Sequence, residues 1–303
     1  MTTAATAKQP PETPRTDKPA KNTDRRGKKT GQRAKIETNE LACRLVDGCR
    51  IKLIGLGGIG CVVLQFLSTF LDHLGIDARL VLIDGDDFER GNLSRMHFQG
   101  PGGNKAEVKA GETIDALSCD QLTIATVAEY VTAENVKDLI KPGDIVLLCV
   151  DNHPTRRLVS GHCDSLPEVA LFSAGNDAVD PPHERGTYGN VQIAIRCGGE
   201  DLTAPITRFH PEIAKADGKL PGGPGCGELV ASAPQIVFTN LAVGSAMLNA
   251  FFAYSCGLLD YQEVKLDIIE GRSLPQFPID PAITAQFPLD SQSPGDARPR
   301  NPK

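Results

Sequence analysis

Short apolar runs alternate along this chain with longer stretches in which apolar residues return every three or four positions, the mark of strands alternating with helices. Ile51 to Ile54 is one such run. It stops at Gly55, Leu56, Gly57, Gly58, Ile59 and Gly60, beyond which Val62, Val63, Phe66, Leu67, Phe70, Leu71 and Leu74 recur at helical spacing. This predicts a strand, a glycine turn and a helix over 58–74. The pattern continues with a strand over 79–83, a helix over 105–117, a strand over 122–127, a helix over 135–140 stopped by Pro142 and Gly143, and a continuously apolar strand over 145–150. Strands separated by helical crossovers pair in parallel, so the fold class is α/β, a Rossmann-like, doubly wound, mainly parallel sheet.

Before and after this core the pattern is looser. Residues 39–46 suit a short helix entering the first strand. Val169 to Ser173 reads as a further strand, and 186–196 alternates at period two. From Cys197 to Gly225 neither period holds, which predicts a long crossing loop. A long apolar helix over 229–254 then suits either the core or a dimer interface. The last alternating strand falls at 264–269, and prolines from Pro275 onward predict an extended tail.

The glycine turn carries the first chemistry. Gly55 allows a tight turn, Gly57 lets backbone approach a phosphate, Gly58 opens the helix, and Gly60 lets that helix pack close to the strand. Unpaired N–H groups and the helix dipole favour an anion there. The second strand delivers Asp84, 24 residues after Gly60, where a carboxylate can accept hydrogen bonds from ribose hydroxyls. The unit reads as a nucleotide site.

Composition alters this picture mainly at the ends. The 303 residues are 40% apolar, enough for one large domain or two small ones. No run approaches the roughly 20 apolar residues of a membrane span, and the N-terminus lacks the apolar centre of a secretory signal, so a cytoplasmic location is expected. Nine cysteines without short paired spacings suit a reducing compartment, and without a CxxC pair no zinc site is expected. Residues 1–36 hold ten Lys or Arg against Glu12, Asp17 and Asp24, so of the net −6 the remaining residues carry −13. Such a basic, polar tail is expected to be disordered, a solvated extension or an arm for nucleic acid or an acidic partner. The expected organisation is a tail over 1–38, one domain over 39–271 with a nucleotide-binding half (50–165) and a substrate-facing half (167–271), and a Pro-rich disordered tail over 272–303.

Past Asp84 the chain reads Gly85, Asp86, Asp87, Phe88, Glu89, Arg90, Gly91, Asn92, Leu93, Ser94, Arg95, then Lys105, and later Asp151, Asn152, His153, Pro154, Thr155, Arg156 directly after an apolar strand. This combination resembles the ThiF/MoeB superfamily, the adenylating enzymes related to ubiquitin activation, over roughly Ile51 to Gly271. The resemblance implies antiparallel strands extending the sheet near 186–196, and ATP with Mg²⁺ as cofactors. It gives Asp84 and Asp86 to the nucleotide, Asn92, Arg95 and Lys105 to the phosphates, and Asp151 to the metal. The residue types suit those roles, since Arg95 can fork across two phosphate oxygens, Lys105 is a compact charge, and a strand-end carboxylate suits Mg²⁺ bridging phosphates. The alternative for Asp151 is a plain helix cap. Two departures stand out: Met96 replaces the family's Gln, and the segment before Lys105 is about three residues shorter than in the family. An N-terminal phosphate-binding arginine segment is also absent.

By resemblance the chain adenylates the C-terminal glycine of a ubiquitin-like or sulfur-carrier protein and works as a homodimer. Cys226, ahead of the long helix, lies near where related enzymes carry a thioester-forming cysteine; it is either that nucleophile or an ordinary loop cysteine. The other eight cysteines read as core residues. Three other readings stand beside this one. They are a tRNA-modifying or peptide-adenylating relative, a non-catalytic partner subunit, and a nicotinamide-dependent oxidoreductase, the last leaving Asn92, Arg95 and Asp151 unexplained.

Overall fold

A computed structural model of the chain describes residues 41–96, 98, 102–177, 179–180, 184–216, 220–221 and 235–277. All of them belong to the second of two units, which begins at Thr38. Both tails and Cys226 lie outside the described residues, apart from 272–277.

The strands are β1 (Cys49–Ile54), β2 (Ala78–Ile83), β3 (Leu122–Val127), β4 (Asp144–Leu148), β5 (Val169–Asn176), the short pair β6 (Val179–Asp180) and β7 (Glu184–Arg185), β8 (Tyr188–Cys197), β9 (Glu200–Asp201), β10 (Glu263–Asp267) and β11 (Arg272–Gln276). The helices are α1 (Gly58–Leu74), α2 (Lys105–Ile114), α3 (Val136–Leu139), α4 (His153–Cys163), α5 (Pro211–Ala214) and α6 (Val237–Ser255). One sheet runs in the order β11-β10-β8-β5-β4-β1-β2-β3, with β9 beside β8. β5, β4, β1, β2 and β3 are parallel; β8, β10 and β11 extend the sheet antiparallel.

The chain winds outward from β1 through β2 to β3, then crosses back to place β4 on the other side of β1. That reversal is a topological switch point, where ligands of open α/β sheets bind. Both faces are covered, which explains why most positions of the central strands are apolar; Lys52 of β1 and Asp144 of β4 are charged but buried, 3.6 Å apart. Ile51, Leu53, Leu80, Leu82, Leu147 and Phe172 pack in one layer with residues of α1, α2 and α6. Ile54, Val81, Ile83, Val146, Leu148 and Leu171 pack in the other with residues of α3, α4 and α5. Each such fully buried side chain contributes roughly 1.5–3 kcal/mol, so this part of the sheet is a rigid base for the loops at its edge.

Four expectations change. Residues 42–46 form no helix. The stretch after Cys197 is not one loop: β9 makes a hairpin with β8, and a 3₁₀ turn (Ile206–Arg208) and α5 follow. These pieces are too short to show a period in sequence. α6 begins at Val237, with residues 222–234 outside the described set. Finally, 264–269 is not the last strand, because β11 pairs with β10 after a turn at Gly271, whose φ is +62°. Pro275 fits there because β11 is an edge strand, whose outer N–H groups need no partner.

α6 is long and apolar enough to pass for a bilayer span by length and composition. Thr239, Asn240 and Ser255 are nevertheless fully buried, and it packs on α1, β5, β8 and β10, so it is a core helix. Its outer face exposes Phe238, Leu241 and Phe252.

Candidate active site

The glycine turn after β1 follows its expected division of labour in backbone terms. Gly55 has φ +88°, and a Cβ there would lie 2.9 Å from the Cys149 carbonyl carbon. Around a Cβ placed on Gly57 no atom of the described residues lies within 4 Å, so this glycine leaves room beside the turn. At Gly60 a Cβ would sit 1.9 Å from the Gly55 carbonyl oxygen, which is the close helix–strand approach expected of it. Gly58 has a different reason. Its Cβ would meet the Asn240 amide at 2.1 Å, so the start of α1 packs directly on α6. Among the described residues no side chain caps the start of α1 and its first turn holds no acid, which suits its N–H groups to an anion.

After β2, Asp84 and Asp86 take opposite parts. Asp84 is buried, and both its oxygens are engaged by backbone: Leu56 N–H donates to Oδ2 at 2.5 Å and Asp86 N–H to Oδ1 at 2.9 Å. Burial pushes its carboxyl up, against Lys105 and these bonds. It braces the glycine turn from within. Asp86 is the open carboxylate, its side chain 47% exposed, with Lys105 Nζ on Oδ2 at 2.8 Å and the Tyr130 hydroxyl donating to Oδ1. Burial alone would raise Asp86; the bonds from Lys105 and Tyr130 outweigh it and hold the group below the ordinary carboxylate range.

Asn104 explains how Lys105 arrives despite the shortened segment. Its Oδ1 caps α2 by accepting from the N–H groups of Ala106 and Glu107, while its Nδ2 donates to the Asp84 and Asp86 carbonyls. Lys105 N–H also donates to the Asp86 carbonyl at 2.8 Å. The sequence signal was available, an Asn directly before a helix. Asn92 is buried in a 3₁₀ turn (Arg90–Ser94), accepting from Glu89 N–H at 2.9 Å, so it holds the loop; Arg95 closes that turn.

On the other side of β1, Cys149 N–H donates to the Ile54 carbonyl at 2.7 Å, and the chain runs past Gly55 to Asp151, which is exposed. The cap of α4 is Asn152, whose Oδ1 accepts from Thr155 N–H at 2.9 Å, so Asp151 is not the cap. Arg156 is buried and donates to the carbonyls of Val150 and Ala174, tying this turn to the end of β5. Among the described residues no cluster of three or more His, Cys, Asp or Glu side chains could hold a metal ion. Asp151 by itself still fits Mg²⁺, which usually takes one or two carboxylates plus substrate phosphates.

The cysteines divide. Cys149, Cys163 and Cys256 are buried as expected, but Cys43, Cys49, Cys61, Cys119 and Cys197 are half-buried. Cys61 and Cys149 flank the glycine turn, yet burial pushes their thiols up to about 11 and about 12, so neither is a thiolate near neutral pH.

An open groove beside Asp151 is lined by His153, Pro154, Pro211, Glu212 and Lys215. His210 anchors its α5 wall, its ring bonded to Glu212 at 2.8 Å and to buried Glu263 at 2.9 Å, with Asn190 and Lys265 also at Glu263. Burial would lower the His210 pKa, but the two carboxylates outweigh it and raise it. The raised folded-state value means that the stability from charged His210 is complete below the unfolded value of about 6.5 and is lost as pH rises through the folded one. The thermal midpoint of the wild type should therefore exceed that of His210→Gln most at pH 6, and the gap should shrink as pH rises. A gap independent of pH from 6 to 9 would refute the charged assignment.

Fold and site define a doubly wound α/β protein with an anion-ready helix start and an acid–lysine pair at one sheet edge. The model of the ThiF family matches residues 34–217, and the chain belongs to that family. Protein HesA of Nostoc sp. is 29% identical over 126 residues, covering 41% of this chain and 48% of HesA. The SAMP-activating enzyme E1 of Haloferax volcanii is 26% identical over 236 residues, covering 76% of this chain and 79% of the enzyme. This chain thus spans about half the length of HesA. Among solved structures, PaaA has a TM-score of 0.54 at 17% identity, covering 76% of this chain and 64% of PaaA. E. coli MccB with ATP has a TM-score of 0.53 at 15% identity, covering 76% and 63%. Both show the same fold.

Proposed function

We propose that this chain binds ATP with Mg²⁺ at the β1 switch point and adenylates the C-terminal glycine carboxylate of a ubiquitin-like or sulfur-carrier protein, releasing pyrophosphate. One observation carries the reading. The glycine turn after β1, the Asp86–Lys105 pair after β2 and Asp151 after β4 meet at one strand edge, on both sides of the switch point. The family relationship supports the same chemistry.

In this reading the open N–H groups of α1 take phosphate oxygens, and Asp84, whose two oxygens each accept one backbone N–H and keep a further lone pair, receives the ribose, with Asp86 beside it. Attack of the glycine carboxylate on the α-phosphate builds charge on the phosphoryl oxygens and on the departing pyrophosphate. Arg95 and Lys105 supply cations for that charge, so catalysis is mainly positioning and electrostatic. Mg²⁺ held by Asp151 and the phosphates would neutralise further charge when bound. The acyl group then passes from the adenylate to the Cys226 thiol or directly to a partner's thiol, forming a thioester and releasing AMP.

The test is ATP–pyrophosphate exchange with the full chain, Mg²⁺ and candidate carriers ending in Gly-Gly, alongside Cys226→Ala. Exchange that requires the carrier and survives Cys226→Ala is expected, because adenylation precedes any thioester. No exchange with an authentic carrier and folded protein would favour a non-catalytic partner subunit instead.

A further inference from the structure

A cavity of about 100 Å³ opens at the edge of the sheet opposite the nucleotide site, where β1, β4 and β5 begin and β8 ends. Along β1 it lies about 20 Å from the glycine turn, six residues at roughly 3.3 Å each. Its walls are mostly apolar, with Val46, Ile145, Val169, Ile195 and Leu202 among them. Charged side chains also line it, and they divide. Arg50 is paired with buried Asp144, Nε on Oδ1 at 2.6 Å, and Arg196 with Asp201. Arg44 and Glu168 are left over. The exposed Arg44 guanidinium lies over Gly257 and half-buried Glu168 stands just before β5; neither side chain has a hydrogen bond or ion pair among the described residues. Tyr254 lines the cavity too, its ring edge-on to Phe172 with centroids 5.6 Å apart and its hydroxyl without a partner among the described residues. Burial first, then Cys197 and Glu168 of the same cavity, push that hydroxyl up to about 12, so it keeps its proton at neutral pH.

From these unpaired groups we propose that the cavity binds a small apolar amino acid of the size of leucine. Its carboxylate meets Arg44, its ammonium meets Glu168 and the Tyr254 hydroxyl oxygen, and its side chain fills the apolar walls. Size and charge both select this class. At about 10–15 Å³ per water, a space of 100 Å³ suits roughly seven to ten non-hydrogen atoms. A wholly apolar guest would leave the hydroxyl and both charges unpaired. A simple carboxylic acid would bring its anion near Glu168 with nothing to offset it, and a simple amine would do the same to Arg44. A zwitterion complements both. The inference stands apart from the nucleotide site, since it uses none of that site's residues. No pattern in the sequence joins Arg44, Glu168 and Tyr254, because they meet only through the order of the strands.

The experiment is titration calorimetry of the full chain, without nucleotide, against L-leucine, isocaproate, which lacks the ammonium of leucine, and isoamylamine, which lacks its carboxylate. Wild type, Arg44→Gln and Glu168→Gln are compared. L-leucine should bind the wild type about fivefold more tightly than either analogue, the usual worth of one charged contact at a partly exposed site. Arg44→Gln should bring L-leucine down to the level of isoamylamine and leave isoamylamine unchanged. Glu168→Gln should bring it down to the level of isocaproate and leave isocaproate no weaker. Each expected loss is matched to one missing group, so a general disturbance of the fold would not reproduce the pattern. Absence of saturable L-leucine binding, equal affinity of the wild type for all three ligands, or a variant that weakens all three alike would overturn the assignment.

Discussion

Asp151→Ala is expected to lower carrier-dependent ATP–pyrophosphate exchange by about 10²–10³-fold, the usual loss when one charge-stabilising group is taken from a transition state. Stability should barely change. Asp151 is exposed, and the capping that its position suggests is done by Asn152, so the helix start does not depend on it. Substitutions at exposed sites free of caps or networks usually fall within about ±0.5 kcal/mol. Asp151→Asn separates charge from shape: if the carboxylate holds Mg²⁺, the amide should lose nearly as much exchange as alanine. Exchange within a few-fold of wild type in both variants would remove Asp151 from the chemistry.

Gly60→Ala should cost about 3 kcal/mol or more, read as a lower denaturant midpoint at unchanged slope, and should also weaken ATP binding. The added carbon would lie 1.9 Å from the Gly55 carbonyl oxygen and 3.0 Å from its carbonyl carbon. Both obstacles are backbone, so relief requires α1 to move off the turn that it opens. Gly57→Ala provides the contrast. Its φ of −78° suits alanine and no atom of the described residues stands within 4 Å of the new carbon, so the fold should hold while the space beside the turn narrows. Weaker ATP binding with little loss of stability is expected there. A Gly60→Ala protein as stable as the wild type would show that the turn is looser than this geometry allows.

Much of this architecture is legible in apolar spacing alone. The 58–74 helix and the 122–127 strand match α1 and β3 residue for residue, because that spacing reports directly which face of an element is buried. Gly55 and Gly60 are legible because a tight turn and a close backbone approach each leave few choices of residue. β9, α5 and β11 escape because two to five residues cannot display a period. Pro275 argues against a strand until pairing places it on the sheet edge.

The α/β class, the strand–turn–helix that opens the site, and the acids and cations that follow it can all be read from the order of residues, since each is local in backbone conformation and spacing. How those groups are used depends on packing. Asp84 and Asp86 sit two residues apart in the same loop, and nothing local says which is enclosed. Leu56, 28 residues away, claims one oxygen of Asp84, while Tyr130, 44 residues away, holds Asp86 at the opening. Which oxygens remain for a ligand depends on what the rest of the chain packs against them, and that is settled by long-range contacts that no short stretch of sequence contains.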